Sequence, residues 1–328
     1  MQEIDIKNTT KEINDKISGN LKGLNQQSHN YIKDIINLIN REIGVNKILS
    51  ILLFGSQRVK SDEATPVSDC DLLIIFKDRV SNHHIKEIEK YFIALEIKHN
   101  FREFDTKLST KILGVVQQST GIFISHFLTK KKYWEEAVFH KIFRVNKVFS
   151  SIFAPRNIVL GNVLINSTTL FGEDLRNKIR PKIQITFLEM FKSMVMNLMI
   201  SFFSLLIFQL KKLKPIKYQL EAIKWSLKAS NYYCFRDTKN LKKISERFIS
   251  FEKSRFQKSA SKFFSNFLRL RKSPENDLSF MIRCPIRIVK IHIQGISFKK
   301  LVKRKDRFRM ISKKVEAVIP DRSFPLRI

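Results

Sequence analysis

Residues 54–76 read FGSQRVKSDEATPVSDCDLLIIF. An apolar run, KILSILLF, stops at Gly55-Ser56, crosses a mostly polar stretch, and resumes as Asp-Cys-Asp at the head of DLLIIF. Both apolar runs are short and rich in Ile and Leu, the pattern of strands inside a sheet. On a strand, Asp69 and Asp71 project from one face while Cys70 points to the other, into the core. Two carboxylates at that separation repel unless a cation lies against them, and hard oxygen donors of this kind suit Mg2+. Gly55 lets the backbone approach an anion closely, and Ser56 can offer its hydroxyl and N–H groups to phosphate oxygens. Phosphate on one side and metal on the other is an arrangement for moving a phosphoryl or nucleotidyl group. The structural alternative is a turn and an edge strand with exposed acids, which sits less naturally beside Leu72, Leu73, Ile74 and Ile75. Arg58 and Lys60 read equally as triphosphate-neutralising cations or as solvated loop charges.

Outward from this stretch, Tyr31, Ile32, Ile35, Ile36, Leu38 and Ile39 follow helical spacing, with Gly44 as the stop. SNHHIKEIEKYFIALEIKHN reads as a helix capped by Ser81, and FREFDTKL (101–108) as a third strand. Gly161 and Gly172 punctuate a boundary region. Residues 182–270 then read as three long helices broken near Pro215 and Arg236–Thr238. Beyond Pro274, IRIVKIHI alternates basic and β-branched residues in a β-type pattern, and KKLVKRKDRFRMISKK closes the run as a basic cluster. The divisions expected are a polar lead-in (1–26), an α+β domain (27–165), a helical domain (166–272) and a basic tail (273–328).

Three widely spaced cysteines exclude a disulfide framework, and the absence of a C-x-x-C pair gives no zinc signature, so a reducing cytoplasm is the expected compartment. No apolar leader is read at the N-terminus. The net charge of +31 is uneven: residues 1–150 carry 23 Lys/Arg against 18 Asp/Glu, and residues 151–328 carry 38 against 12. A half that basic attracts polyanions, RNA among them, unless its charges merely solvate a surface. SMVMNLMISFFSLLIFQL (193–210) has no charged residue and is just long enough to span a bilayer. Its Asn, Ser and Gln residues fit a buried bundle helix, and no membrane partner is expected. His83–His84 are adjacent and do not share a helix face, so they read as an ordinary polar helix start. The Phe-rich stretch 248–270 reads as the packed face of an amphipathic helix.

LFGS followed by SDCDLLIIF resembles the signature of the DNA polymerase β-like nucleotidyltransferase superfamily, closest to its minimal and kanamycin-type antibiotic branch. TTLFGEDLR (168–176) is similar to a segment that closes the domain in that branch. The resemblance implies an α+β fold: a nucleotidyltransferase core of mixed sheet and helices, followed by a C-terminal helical bundle and a basic tail. It implies Mg2+-dependent transfer of a nucleoside monophosphate from a nucleoside triphosphate, ATP being the first expectation, to an acceptor hydroxyl. That acceptor could belong to a small molecule, a protein or RNA. Gly55, Ser56 and Arg58 would contact the triphosphate. Asp69, Asp71 and a third carboxylate, Asp105 with Glu103 as the fallback, would bind two Mg2+ ions and serve catalysis. The chain departs from the family in carrying VKSDE where a small residue is usual, and in a longer gap between Ser and the first Asp. Arg287 and His292 have the Arg-x4-His spacing of nuclease-like toxin domains, but in a run read as β-type rather than helical. A catalytically inactive relative that binds nucleic acid through its basic half is the competing reading.

Overall fold

Tyr31, Ile32, Ile35 and Ile39 recur every three or four residues, and all are fully buried on one side of helix α1, Gln26–Glu42. Each such side chain contributes roughly 1.5–3 kcal/mol by leaving water. Asn25 caps the helix by accepting a hydrogen bond from the Ser28 N–H at 2.8 Å, and Gly44 ends it at φ +89°. In this computed structural model of the 328-residue chain, residues 19, 21, 24–55, 70–101, 125–209 and 215–318 are described, side chains after 301 excepted.

The chain then forms strand β1 (Ile48–Phe54), strand β2 (Asp71–Phe76) and helix α2 (Asn82–Lys98), the last capped by Ser81 accepting from His84 N–H at 3.1 Å. The expected third strand at 101–108 falls, from residue 102 on, outside the described residues. Strand β3 is His126–Lys130, parallel to β2. Short helices α3 (Lys131–Glu135), α4 (Phe139–Ile142) and α5 (Lys147–Ile152) lead to α6 (Arg156–Asn166). Strand β4 (Thr168–Gly172) returns antiparallel to β1, giving a four-stranded mixed sheet in the order β3-β2-β1-β4, and α7 (Arg176–Ile179) follows.

Alternation along the strands divides the core. Ile51, Leu53, Leu72, Ile74 and Phe76 face α1 and α2. Leu52, Phe54, Leu73 and Ile75 face Trp134, Phe139, Leu160 and their neighbours on the other side. Trp134 is fully buried and its indole N–H donates to the Leu175 carbonyl at 3.0 Å, tying α3 to the turn before α7.

The C-terminal part is a bundle of α8 (Phe187–Leu206), α9 (Pro215–Phe235), α10 (Leu241–Ser250), α11 (Ser254–Lys272) and α12 (Leu278–Val318). The expected third helix is thus two, divided at 251–253. Phe248, Phe263, Phe264 and Phe267 are buried in its core, the packed face read from the sequence. Residues 280–295 depart from the β-type reading: they are helical, with Pro285 inside α12. The sheet layer meets the bundle where Ile158 and Gly161 of α6 press on Tyr232 of α9.

His292 of α12 is fully buried, 3.3 Å from the Asn197 amide and 3.2 Å from the Tyr233 hydroxyl. Burial pushes its imidazole down to about 3 from an ordinary 6.5. The unfolded chain therefore takes up a proton near pH 6.5 that the folded chain refuses until about pH 3, so stability falls as pH drops through that window, by about 1.4 kcal/mol per unit. Comparing urea unfolding at neutral and mildly acidic pH, the wild type should lose this increment, and His292→Gln should be flatter by the same amount.

Candidate functional site

β1 and β2 pair so that Phe54 lies opposite Asp71, which brings the strand after the polar crossing back to the point where β1 ended. Gly55 follows directly at φ +83°, a conformation open to glycine at little cost. A Cβ built there would overlap the Asp71 carboxylate. Glycine at 55 is thus required twice, by its backbone angle and by the acid that occupies the side-chain space. Asp71 is half-buried and continues the face of Leu73 and Ile75, whereas Cys70 is fully buried in the opposite cluster with Leu72. Cys70 thus faces the α1–α2 core as the sequence reading expects, while Asp69, expected on the face of Asp71, lies outside the described residues.

Behind the strand lies a buried polar pair that sequence reading missed. His126 opens β3 opposite Leu72 and so points to the α1–α2 side. Its Nδ1 is 2.7 Å from the Glu96 carboxylate of α2, both side chains being about 5 % exposed or less. Glu96 continues the stripe Ile85, Ile88, Phe92, all buried. An acid at the fourth position of a buried helical stripe is the signal that could have found it. Pairing is what makes this burial affordable, since an unpaired buried polar group costs about 1–3 kcal/mol. Phe92 packs on the imidazole at 5.1 Å between ring centres. The Tyr31 hydroxyl is buried, with no hydrogen-bond partner among the described residues. Burial, with Glu96, Cys70 and Asp71 adding to it, holds its phenol far above the ordinary tyrosine range.

Of the residues singled out from sequence, Gly55 and Asp71 are brought together. Asp69, Asp105, Glu103, Ser56, Arg58 and Lys60 lie outside the described residues. Asp71 supplies a hard oxygen donor, which fits one ligand of a Mg2+ site. Among the described residues no group of three or more His, Cys, Asp or Glu gathers as a metal cage. Arg287 and His292 lie on a helix but do not form a joint site. Arg287 pairs with Glu252 at 2.7 Å and faces the rings of Phe263 and Phe264, while His292 turns to Asn197 and Tyr233. The exposed His83 and His84 rings meet edge to face.

The chain thus has an α+β fold: a four-stranded mixed sheet with an acid–glycine pair at the β1–β2 mouth, followed by a helical bundle. No protein-family model matches it, and no curated protein does. Among solved structures it is similar to spectinomycin adenyltransferase AAD(9) from Enterococcus faecialis with ATP and spectinomycin. The identity is 9 % and the TM-score 0.47, over 81 % of this chain and 98 % of that one.

Proposed function

We propose that the chain transfers a nucleoside monophosphate from a nucleoside triphosphate to an acceptor hydroxyl, releasing pyrophosphate. The observation that carries this reading is the Gly55–Asp71 contact, in which a glycine fit for close phosphate approach is packed against a carboxylate at one strand mouth. In this reading the acceptor oxygen forms a bond to the α-phosphorus as the bond from that phosphorus to the pyrophosphate oxygen breaks. Asp105, or Glu103 in its place, takes the acceptor's proton. Gly55 admits the phosphates, Ser56 donates hydrogen bonds to their oxygens, and Arg58 offsets their charge. Asp69, Asp71 and Asp105 would hold Mg2+, which when bound offsets charge on the phosphates and leaving group. The His126–Glu96 pair ties β3, the parallel neighbour of the strand that carries Asp71, to helix α2 behind the sheet.

The test is label transfer from each α-labelled nucleoside triphosphate, with Mg2+, into an extract separated into small molecules, RNA and protein. Label in one fraction, lost by about 100-fold or more in Asp71→Asn while the melting temperature holds, is the expected result. No label in any fraction, from folded protein, overturns the reading. Salt-sensitive RNA binding retained by the same variant would then favour an inactive nucleic-acid module, to which the basic half of the chain points.

A further inference from the structure

Helix α8 turns an unusual share of its polar groups inward. Its buried side carries Glu189, Ser193, Asn197, Ser201 and Ser204 among Met190, Met196 and Ile200. Four of the polar residues make specific bonds: Glu189 accepts from the Asn157 N–H at 2.9 Å, and Asn197 meets His292. Ser201 donates to the Gln219 side-chain carbonyl at 2.6 Å, and Ser204 to the Pro215 carbonyl at 2.6 Å. The outward stripe is apolar at helical spacing: Leu188, Phe191, Val195, Met199, Phe202 and Leu206. Phe202 is 53 % exposed and Leu206 80 %. A helix on a water-facing surface ordinarily has the opposite arrangement.

The apolar surface continues onto two neighbours. The Lys192 ammonium donates to the Ser151 carbonyl at 2.6 Å, which brings the exposed Val148 and Ile152 of α5 beside the start of α8. Contacts of His292 with Asn197 and of Lys299 with Met190 run α12 antiparallel along α8. One flank of α12 is taken up by α9, through Gly295 against Tyr233, and by α11, through Arg287 over Phe263 and Phe264. Ile282, Ile286 and Ile293, spaced four and seven apart, stay exposed on another. Contiguous apolar surface of this kind marks an interaction site rather than random exposure.

Charge identifies the occupant. Exposed Lys147 and Arg283 stand next to Val148 and Ile282 in the chain, and the whole molecule carries +31. Two copies brought face to face would set like charge against like charge, and a nucleic acid would match the cations but leave Phe202, Leu206 and Ile286 without partners. Acyl chains beneath anionic headgroups match both. α8 is long and apolar enough to cross a bilayer by length and composition, yet its polar side is bonded into α6, α9 and α12, so it cannot cross alone.

We propose that the outward face of α8, with the exposed apolar residues of α5 and α12, docks on an anionic phospholipid surface and lies in the interface plane. This departs from the expectation of no membrane partner and is independent of the transfer reaction. The experiment is flotation of the full chain with vesicles of phosphatidylcholine alone and of phosphatidylcholine with about one-third phosphatidylglycerol. Phe191→Ser/Phe202→Ser/Leu206→Ser is run beside it, its fold checked by thermal melting. The expected result is flotation with the anionic vesicles, reduced roughly tenfold or more by the triple substitution and weakened, not abolished, at about 0.5 M salt. Failure to float, or flotation unaffected by the triple substitution, overturns the proposal. So does a dimer, seen by light scattering, that the triple variant turns monomeric without any flotation; the occupant would then be a second copy.

Discussion

If the proposed reaction is right, Gly55→Ala should lower nucleotidyl transfer by roughly 100-fold while the protein stays folded, because an added methyl displaces the Asp71 carboxylate to which that proposal assigns the metal. The backbone at φ +83° costs an alanine roughly 1–2 kcal/mol. The larger effect is steric: the methyl would stand where the Asp71 carboxylate now is, and Asp71 is anchored by its register opposite Phe54. Something must move, and the carboxylate is the smaller, more mobile group. Label transfer and a thermal melt on the same preparation check both halves of the prediction. A variant that melts near the wild type and transfers at full rate would show that Asp71 is not a working group.

The largest loss of stability is expected at Gly161→Leu. Gly161 sits in α6 against the Tyr232 ring, which is buried and fills the space a side chain would need. The ring packs among Ile158, Met190, Ala229 and Tyr233, so making room for a leucine strains the contact between α6 and α9. Overpacking of this kind costs about 3 kcal/mol or more. Because this contact joins the sheet layer to the bundle, urea unfolding of the variant should lose cooperativity as well as midpoint. Adding Tyr232→Ala empties the space and should restore part of the loss, a coupling that a double-mutant cycle would measure.

Both sites differ in how far sequence could reach them. Gly55 and Asp71 were legible because each interrupts an apolar run, and an interruption of that kind needs a reason. Ser81 and Gly44 were legible as helix punctuation for the same cause. β3 was not, since HFLTK is five residues and buried throughout, leaving no alternation to read. α12 was misread because IRIVKIHI satisfies two periods at once. Arg283, Arg287 and Lys290 are spaced four and three apart, while Ile288, Ile291 and His292 form the buried side. Over eight residues a period of two and a period of 3.6 are hard to separate, and only the full length of the helix decides. The polarity of 193–210 showed that something in that segment was bonded, but composition does not say which side faces inward. Glu96 and His126 were passed over because they meet only through the tertiary fold.

β1 finds its second sheet neighbour late. β2 follows it closely, but β4 is made about 120 residues downstream of the start of β1, which at a synthesis rate of about 5–20 residues per second is roughly 6–24 s. Through that interval one edge of Ile48–Phe54, the most apolar strand of the sheet, has no β4 to pair with. Slowing translation before residue 168 should therefore raise the yield of aggregate more than slowing it afterwards.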